Sequence, residues 1–274
     1  MKTLKDMIDD VRSDRDKGAS ELALLALDVV RSAVLSCKAS NAKTLLEEIS
    51  NVLGELAVCR PSMAIIGNCM RGLSEKLEVM KQNGGISTEE MKCRIETILD
   101  KIEEDIRTAK LRSISNAVAF INDYYIIATC SCSSTLVEIF KTAHREGKKI
   151  ELRILRSTSG GINYGEITAS KLMETGVDCR VYDDSVSVDF LDGADIVMLG
   201  SDTVFKDCSV LNGYPSLRLS KLAAEHRPPV PVYIVSDSSK LSPDSPENSC
   251  EPGFDLVPGS LIEGFITEEG LCKR

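Results

Sequence analysis

Two short stretches of this 274-residue chain carry residue types that can do chemistry. The first runs from Gly193 to Ser216, GADIVMLGSDTVFKDCSVLNGYPS. Its Ile196, Val197, Met198 and Leu199 form an apolar run that Gly200 ends, which reads as a strand buried on both faces. Asp202 stands just past the carboxyl end of that strand, where open α/β sheets bind their ligands. A carboxylate there can exchange a proton with a substrate. The plainer reading is that Asp202 only caps the turn through its own backbone, and periodicity alone favours it. The second stretch is TCSCSST, Thr129 to Thr135, between a predicted strand and a predicted helix. Hydroxyls and free amides at a helix start attract anions, so Ser131 to Thr135 is a phosphate-site candidate, with Lys17 and Arg156 as its cations. Ordinary N-capping accounts for the same residues equally well.

Other chemistries are excluded or weakly supported. There is no G-x-G-x-x-G, no P-loop and no Ser-His-Asp order. Gly160–Gly161 follows a strand but lacks a third glycine and an acidic partner at the right distance. Cys130 and Cys132 form the only close cysteine pair, and one intervening residue fits neither zinc-ribbon nor thioredoxin spacing. With two histidines in the chain, a structural metal site is not expected, and no cofactor is expected. The ten cysteines, several inside apolar patterns, read as free thiols of a reducing compartment. A net charge of −9 and the absence of Trp argue against a nucleic-acid surface. No run approaches the ~20 apolar residues of a membrane span, and MKTLKDMIDD has no signal-peptide core, so a cytoplasmic location is expected.

The elements that must position these residues change character along the chain. Residues 1–112 read as helices. Leu4, Met7, Ile8 and Val11 share one face, Ser20 is the expected N-cap of the next helix, and Asn41 to Leu56 gives a third. Arg60–Pro61 interrupts, Ile65 to Met80 resumes, and Asn83–Gly84–Gly85 breaks the pattern again. Ser87-x-x-Glu90 is a capping-box start for a long helix to about Leu111, whose Glu103–Arg107 pair reads as a solvated face. From residue 113 strands alternate with helices. The strands are Tyr124–Ala128, Ile150–Leu155, Val177–Tyr182, Ile196–Leu199 and Val230–Val235. The helices are Leu136–Arg145, Ile167–Glu174, a short Ser185–Leu191 and Leu217–Ala224, with Gly147 and Gly176 as helix stops. Residues 156–165 read as a polar loop, LSPDSPENSCEPG as a surface loop, and Phe254 to Gly270 as one further apolar element. The fold class is α/β: a helical N-terminal domain, 1–112, followed by a Rossmann-like domain, 113–274, with a mainly parallel sheet.

Several stretches carry a resemblance. GEITASKLMETGVDCRVYDDS, GADIVMLGSDTVFKDCSVLN, VPVYIVSDSSKLSP and FDLVPGSLIEGFITEEG resemble the family of the α, β and δ subunits of translation initiation factor 2B. That family includes archaeal relatives and the isomerases of ribose 1,5-bisphosphate and 5-methylthioribose 1-phosphate. KGASELA and CRPSMAIIGNCMR resemble its N-terminal Arg-Gly-Ala loop and Arg-Pro…Asn…Arg segment, so the likeness covers nearly the whole chain. It implies Asp202 and a neighbouring thiol, Cys130 or Cys132, as proton-transfer groups. It implies Lys17, Gly18, Ala19, Arg60, Ser131, Ser133, Ser134, Asn212 and Lys240 as ligand contacts. It also implies self-association as a homodimer or larger ring, contact with translation initiation factor 2 subunits, and a phosphorylated sugar or nucleotide as ligand.

The chain departs from the family pattern at four places. Placing Ser133–Ser134 on the family's Ser-Ser puts Ser131 at the catalytic Cys, with Cys130 and Cys132 on either side. The resemblance likewise sets Gly213 at the Lys after Asn212 and Lys17 at the Arg of the N-terminal loop. A gapless match sets Gly160, with Arg156 nearby, at the Arg of the Glu-Thr-Arg-Pro segment. A Ser hydroxyl does not exchange protons as a Cys does near neutral pH. Each lost cationic ligand removes a hydrogen bond worth about 1.5–3 kcal/mol. The expectation is therefore a regulatory member of the family that works through protein contact. The alternative is a sugar-phosphate isomerase converting an aldose 1-phosphate to a ketose.

Overall fold

The computed structural model describes residues 2–82, 86–246 and 250–273. The chain divides into two compact units, Met1–Thr108 and Ala109–Arg274.

The N-terminal unit is helical. Its helices are α1 (Leu4–Ser13), α2 (Ala19–Ser36), α3 (Ala42–Ala57), α4 (Ala64–Gln82) and the first part of α5 (Thr88–Phe120). Thr3 and Asp6 form a reciprocal capping box on α1, and Asn41 Oδ1 accepts the Thr44 amide at the start of α3. The N-cap of α2 is Gly18, not Ser20, which lies buried inside the first turn. The preceding loop ends at Gly18, so the helix starts before the hydroxyl residue that sequence preference selects. Leu22, Ala23, Ala26, Val29, Val30 and Val34 are buried all along α2, making it the central helix of the unit. The expected break at Asn83–Gly84–Gly85 lies outside the described residues.

Helix α5 starts where expected, with Ser87 Oγ accepting the Glu90 amide, but runs to Phe120 rather than Leu111. Ile114, Ala117 and Val118, with Ile121 just beyond, continue its apolar spacing into the core of the second unit. The Glu103–Arg107 face is not simply solvated. Arg31 of α2 reaches Glu96, Asp100 and Glu103, so this side of α5 is ion-paired to α2.

In the C-terminal unit β1 (Ile126–Thr129), β2 (Glu151–Leu155), β5 (Cys179–Tyr182), β6 (Ile196–Leu199), β9 (Val232–Val235) and β11 (Gly264–Thr267) are parallel. The edge strand β12 (Gly270–Lys273) is antiparallel. The sheet order is β12-β11-β9-β6-β1-β2-β5. Strand order therefore reverses between β1 and β6, which pair with Ile127 opposite Ile196. All four residues of β6 are buried. Ile196 and Met198 pack with α5, α6 (Ser134–Arg145) and α7 (Tyr164–Met173), while Val197 and Leu199 pack with α8 (Ser216–Glu225). Covered faces explain a continuous apolar run rather than an alternating one.

Three stretches differ from expectation. The polar loop after β2 contains a hairpin, β3 (Thr158–Ser159) and β4 (Ile162–Asn163). The short helix expected at Ser185–Leu191 is a 3-10 turn, Val188–Leu191. The single element expected at Phe254–Gly270 is β10 (Phe254–Val257), a 3-10 turn and β11. Strand β10 joins a second small sheet with β8 (Val210–Gly213) and β7 (Thr203–Val204). Too few residues separate these short strands for an 11–18-residue periodicity window to resolve them.

Candidate functional site

The reversal of strand order fixes where a site forms. Helical connections leave β1 and β6 in opposite directions, opening a crevice at their carboxyl ends. The turn Cys130–Ser133 follows β1, and Gly200–Asp202 follows β6, so both sequence candidates reach this crevice.

Two glycines let the segments close on each other. A Cβ on Gly200 would lie 2.8 Å from Ser133 Oγ and 3.6 Å from Asn212 Oδ1. A Cβ on Gly213 would lie 2.1 Å from Ser131 Oγ. The side chain of Ser131 therefore fills the space beside residue 213, where the family pattern has a lysine. Ser131 has φ +67, a left-handed conformation that costs a residue with a Cβ about 1–2 kcal/mol. Hydrogen bonds hold it there: its amide donates to Ser157 Oγ at 2.7 Å, and its carbonyl accepts from Thr168 Oγ1 at 2.9 Å.

The two cysteines of the turn face different surroundings. Cys130 is 2 % exposed and packs in the core layer on the α8 side of the sheet. Its Sγ lies 3.4 Å from Ser216 Oγ. Ser216 donates its one hydroxyl proton to Gly213 O at 2.5 Å and accepts from Asn212 Nδ2 at 2.7 Å, which leaves Cys130 as the donor. Burial pushes this thiol up to about 12. Cys130 is thus a neutral thiol at physiological pH. Cys132 is half-buried, and the Lys171 ammonium of α7 approaches its Sγ at 3.9 Å.

Ser133 is the N-cap of α6 and accepts the Leu136 amide at 3.3 Å, so the capping reading of the turn holds for this residue. Ser134 accepts from Lys110 Nζ at 3.1 Å. The cations beside the turn are therefore Lys110 from α5 and Lys171 from α7, neither of which sequence spacing points to. Arg156, the expected cation, is bridged to Glu166 at 3.1 Å and to Asp183 at 2.7 Å. Asp202 is half-buried and donates its amide to Leu211 O at 2.9 Å, tying β6 to β8. Lys240, 5 % exposed, donates to Ser201 O at 2.7 Å, next to Asp202.

Lys17, Gly18, Ala19 and Arg60 come together in the N-terminal unit, around a residue the sequence reading missed. Asp14 accepts the Asp16 and Lys17 amides at 2.9 and 2.8 Å and the Lys17 ammonium at 2.6 Å. Its carbonyl accepts from the buried Arg60 guanidinium at 2.7 Å. Burial would raise the Asp14 carboxyl, but Lys17 pulls it below the usual range. The Asp14-to-Gly18 spacing is a turn signal that would have located it.

Comparison with known proteins follows this geometry. The model of the initiation factor 2 subunit family matches residues 15–251. The chain belongs to that family. Among family relatives, a translation initiation factor eIF-2B subunit 2-like protein of Pyrococcus abyssi is 28 % identical over 283 residues, covering 97 % of this chain and 95 % of its own. A ribose 1,5-bisphosphate isomerase of Methanocaldococcus jannaschii is 24 % identical over 297 residues, covering 99 % and 92 %. The crystal structure of the Pyrococcus horikoshii translation initiation factor eIF-2B shares the fold, with a TM-score of 0.85 at 22 % identity, over 98 % of this chain and 96 % of that one. The family thus contains both of the functional classes that the residues leave open.

Proposed function

We propose that this protein is a regulatory member of its family. It binds a phosphorylated sugar or nucleotide at the turn after β1 and acts through protein contacts, with further copies of itself and with translation initiation factor 2 subunits. One observation supports the reading: Cys130 is turned into the core and stays protonated, while Ser131, which the resemblance sets at the family's thiol, packs beside Gly213. An aldose-to-ketose conversion needs a second acid–base group beside Asp202, and a hydroxyl is a poor one.

In this reading Ser131, Ser133, Ser134 and the first amides of α6 receive the phosphate, with Lys110 and Lys171 supplying charge. Asp202, Asn212 and Lys240 line the sugar side. Within the N-terminal unit, the start of α2 with Gly18, Ala19, Lys17 and Arg60 is a separate candidate ligand contact, weakened because Asp14 engages both cations.

The second reading is a sugar-phosphate isomerase in which Cys132 serves as the thiol. Its support is the place of Cys132 in the turn, with the Lys171 ammonium at 3.9 Å from Sγ, and the relative named ribose 1,5-bisphosphate isomerase. Phosphorus NMR with ribose 1,5-bisphosphate and other sugar 1-phosphates separates the two. The regulatory reading expects no turnover in wild-type protein. Turnover of about 1 s⁻¹ or more that disappears in Asp202→Asn and Cys132→Ser establishes the isomerase instead. Light scattering is expected to give a dimer or larger species at micromolar concentration, and a monomer mass contradicts self-association.

A further inference from the structure

The turn after β1 does not hold its own shape. Its pivot, Ser131, depends on Ser157, which lies after β2 and is itself left-handed at φ +58. Ser157 is fully buried. Its Oγ accepts the Ser131 amide at 2.7 Å and donates to Leu155 O at 2.9 Å. Its amide donates to Asp184 Oδ1 at 2.7 Å, and the Thr158 amide donates to Asp184 Oδ2 at 2.8 Å. Asp184 lies in the segment after β5, two strands away from β1. A bidentate carboxylate thus fixes two consecutive amides, those amides fix a left-handed serine, and that serine fixes the backbone of Ser131.

We propose that Asp184 is the positioning residue of this site, setting the geometry of the β1–α6 turn through Ser157 without touching the ligand. A carboxylate is the side chain suited to the task. It offers two acceptors on one planar group, and the two adjacent amides converge on it with no donor needed in return. Charge strengthens both bonds relative to a neutral acceptor. Asparagine retains one acceptor and places an NH₂ against an amide N–H, so it satisfies half of the arrangement. Alanine satisfies none, and leaves the Ser157 amide without its carboxylate. Released from Asp184, Ser157 relaxes out of the left-handed region, the Ser131 amide loses its acceptor, and Ser131 leaves its place beside Gly213.

The functional consequence rests on the reading of the turn as a phosphate site, whereas the relay itself is testable without any ligand. Amide hydrogen exchange of ligand-free protein reads the relay at the Ser131 amide. Wild type is expected to protect it. Protection is expected to fall at least tenfold in Asp184→Ala and in Ser157→Ala, with Asp184→Asn between them and wild type, while amides in the middle of α2 keep their protection. Unchanged protection of Ser131 in Asp184→Ala overturns the proposal, as does an equal loss throughout both units, which marks a general folding defect. Titration with inorganic phosphate then reads the consequence. Asp184→Ala is expected to weaken phosphate by about tenfold or more, the scale of one misaligned charge-assisted hydrogen bond. Asp184→Asn is expected to recover part of the loss. If wild type does not bind phosphate while Ser131 still loses protection in Asp184→Ala, the phosphate reading fails and the positioning role stands. Phosphate affinity that is the same in wild type and Asp184→Ala overturns the link between the relay and the site.

Discussion

Around Asp14 two cations close on a single residue, whereas around the β1–α6 turn two cations approach from separate helices. In the N-terminal loop, Lys17 lies 2.6 Å from the Asp14 carboxylate and Arg60 bonds the Asp14 carbonyl. Their charge is used in shaping the loop that ends at Gly18. At the turn, Lys110 donates to the Ser134 hydroxyl and Lys171 approaches Cys132 Sγ. At Lys17 an arriving anion competes with the Asp14 carboxylate. The comparison teaches that a cation at a family ligand position is available only as far as its own neighbours leave it so. Arg156 makes the same point, close in sequence to the site yet spanned by Glu166 and Asp183.

The largest effect that tests this contrast is in thiol reactivity. Burial pushes the Cys130 thiol up to about 12, so it stays protonated at pH 8. Iodoacetamide on native protein is expected to modify Cys132 well before Cys130, with Cys130 reacting only on unfolding. Mass spectrometry of the peptide spanning residues 126–141 reads the order, and early labelling of Cys130 breaks the assignment of the two faces.

The next effect is steric. Gly213→Ala places a Cβ 2.1 Å from Ser131 Oγ and is expected to cost about 1–3 kcal/mol in urea unfolding, the usual scale of overpacking. Ser131→Gly removes the hydroxyl and suits the left-handed φ, so the double variant is expected to be more stable than Gly213→Ala alone. Additive losses contradict the close contact.

A smaller effect is expected on the other side of the comparison. Asp14→Asn removes the charge that Lys17 meets while keeping the Asx-type turn. The Asp14 carboxyl is depressed in the folded protein, so its contribution is present above the unfolded carboxylate range and is lost as pH falls through the folded value. Wild-type stability is therefore expected to fall between pH 5 and 3 more steeply than that of Asp14→Asn, measured by thermal unfolding across that range. Parallel slopes break the pairing.

The smallest effect calibrates both from outside. His226 faces the Pro228 carbonyl at 2.7 Å and Asp192 Oδ1 at 3.0 Å, so both ring nitrogens meet acceptors. The Pro228 carbonyl, then the Asp192 carboxylate, raise its ionisation above the ordinary 6.5. A raised histidine stabilises fully below its unfolded value and loses that contribution as pH rises through its folded one. Wild-type melting temperature is expected to decline slightly from pH 6 to 8, and His226→Gln is expected to flatten the decline.

Much of the fold was legible because burial imposes a period. Ile196–Leu199 read as a doubly buried strand because each residue has an apolar layer to enter. Boundaries were less legible where a polar residue finds a tertiary partner. Ser113 looks like the end of α5, yet its hydroxyl donates to Ser236 O inside the second unit, and the helix continues to Phe120. At the site, Asp202 and the serines of the turn stood out as candidates from their place after strands and before a helix, and Asn212 through the family resemblance. Lys110, Lys171, Ser157 and Asp184 were not, since nothing in local spacing distinguishes them from solvated surface residues.

The sequence by itself determined the alternation of the main helices and strands and the mainly parallel character of the sheet, and therefore the end of the sheet at which a ligand site is expected. Those follow from hydrophobic period and chain connectivity, both of which are local or topological properties. Only the tertiary structure decided which of the adjacent cysteines is a buried thiol, which cations are engaged by carboxylates, and which residue two strands away holds the turn. Those depend on distances of a few ångströms between side chains far apart in the chain, such as Asp184 to Ser157 and Ser216 to Cys130, and residue types alone do not carry them.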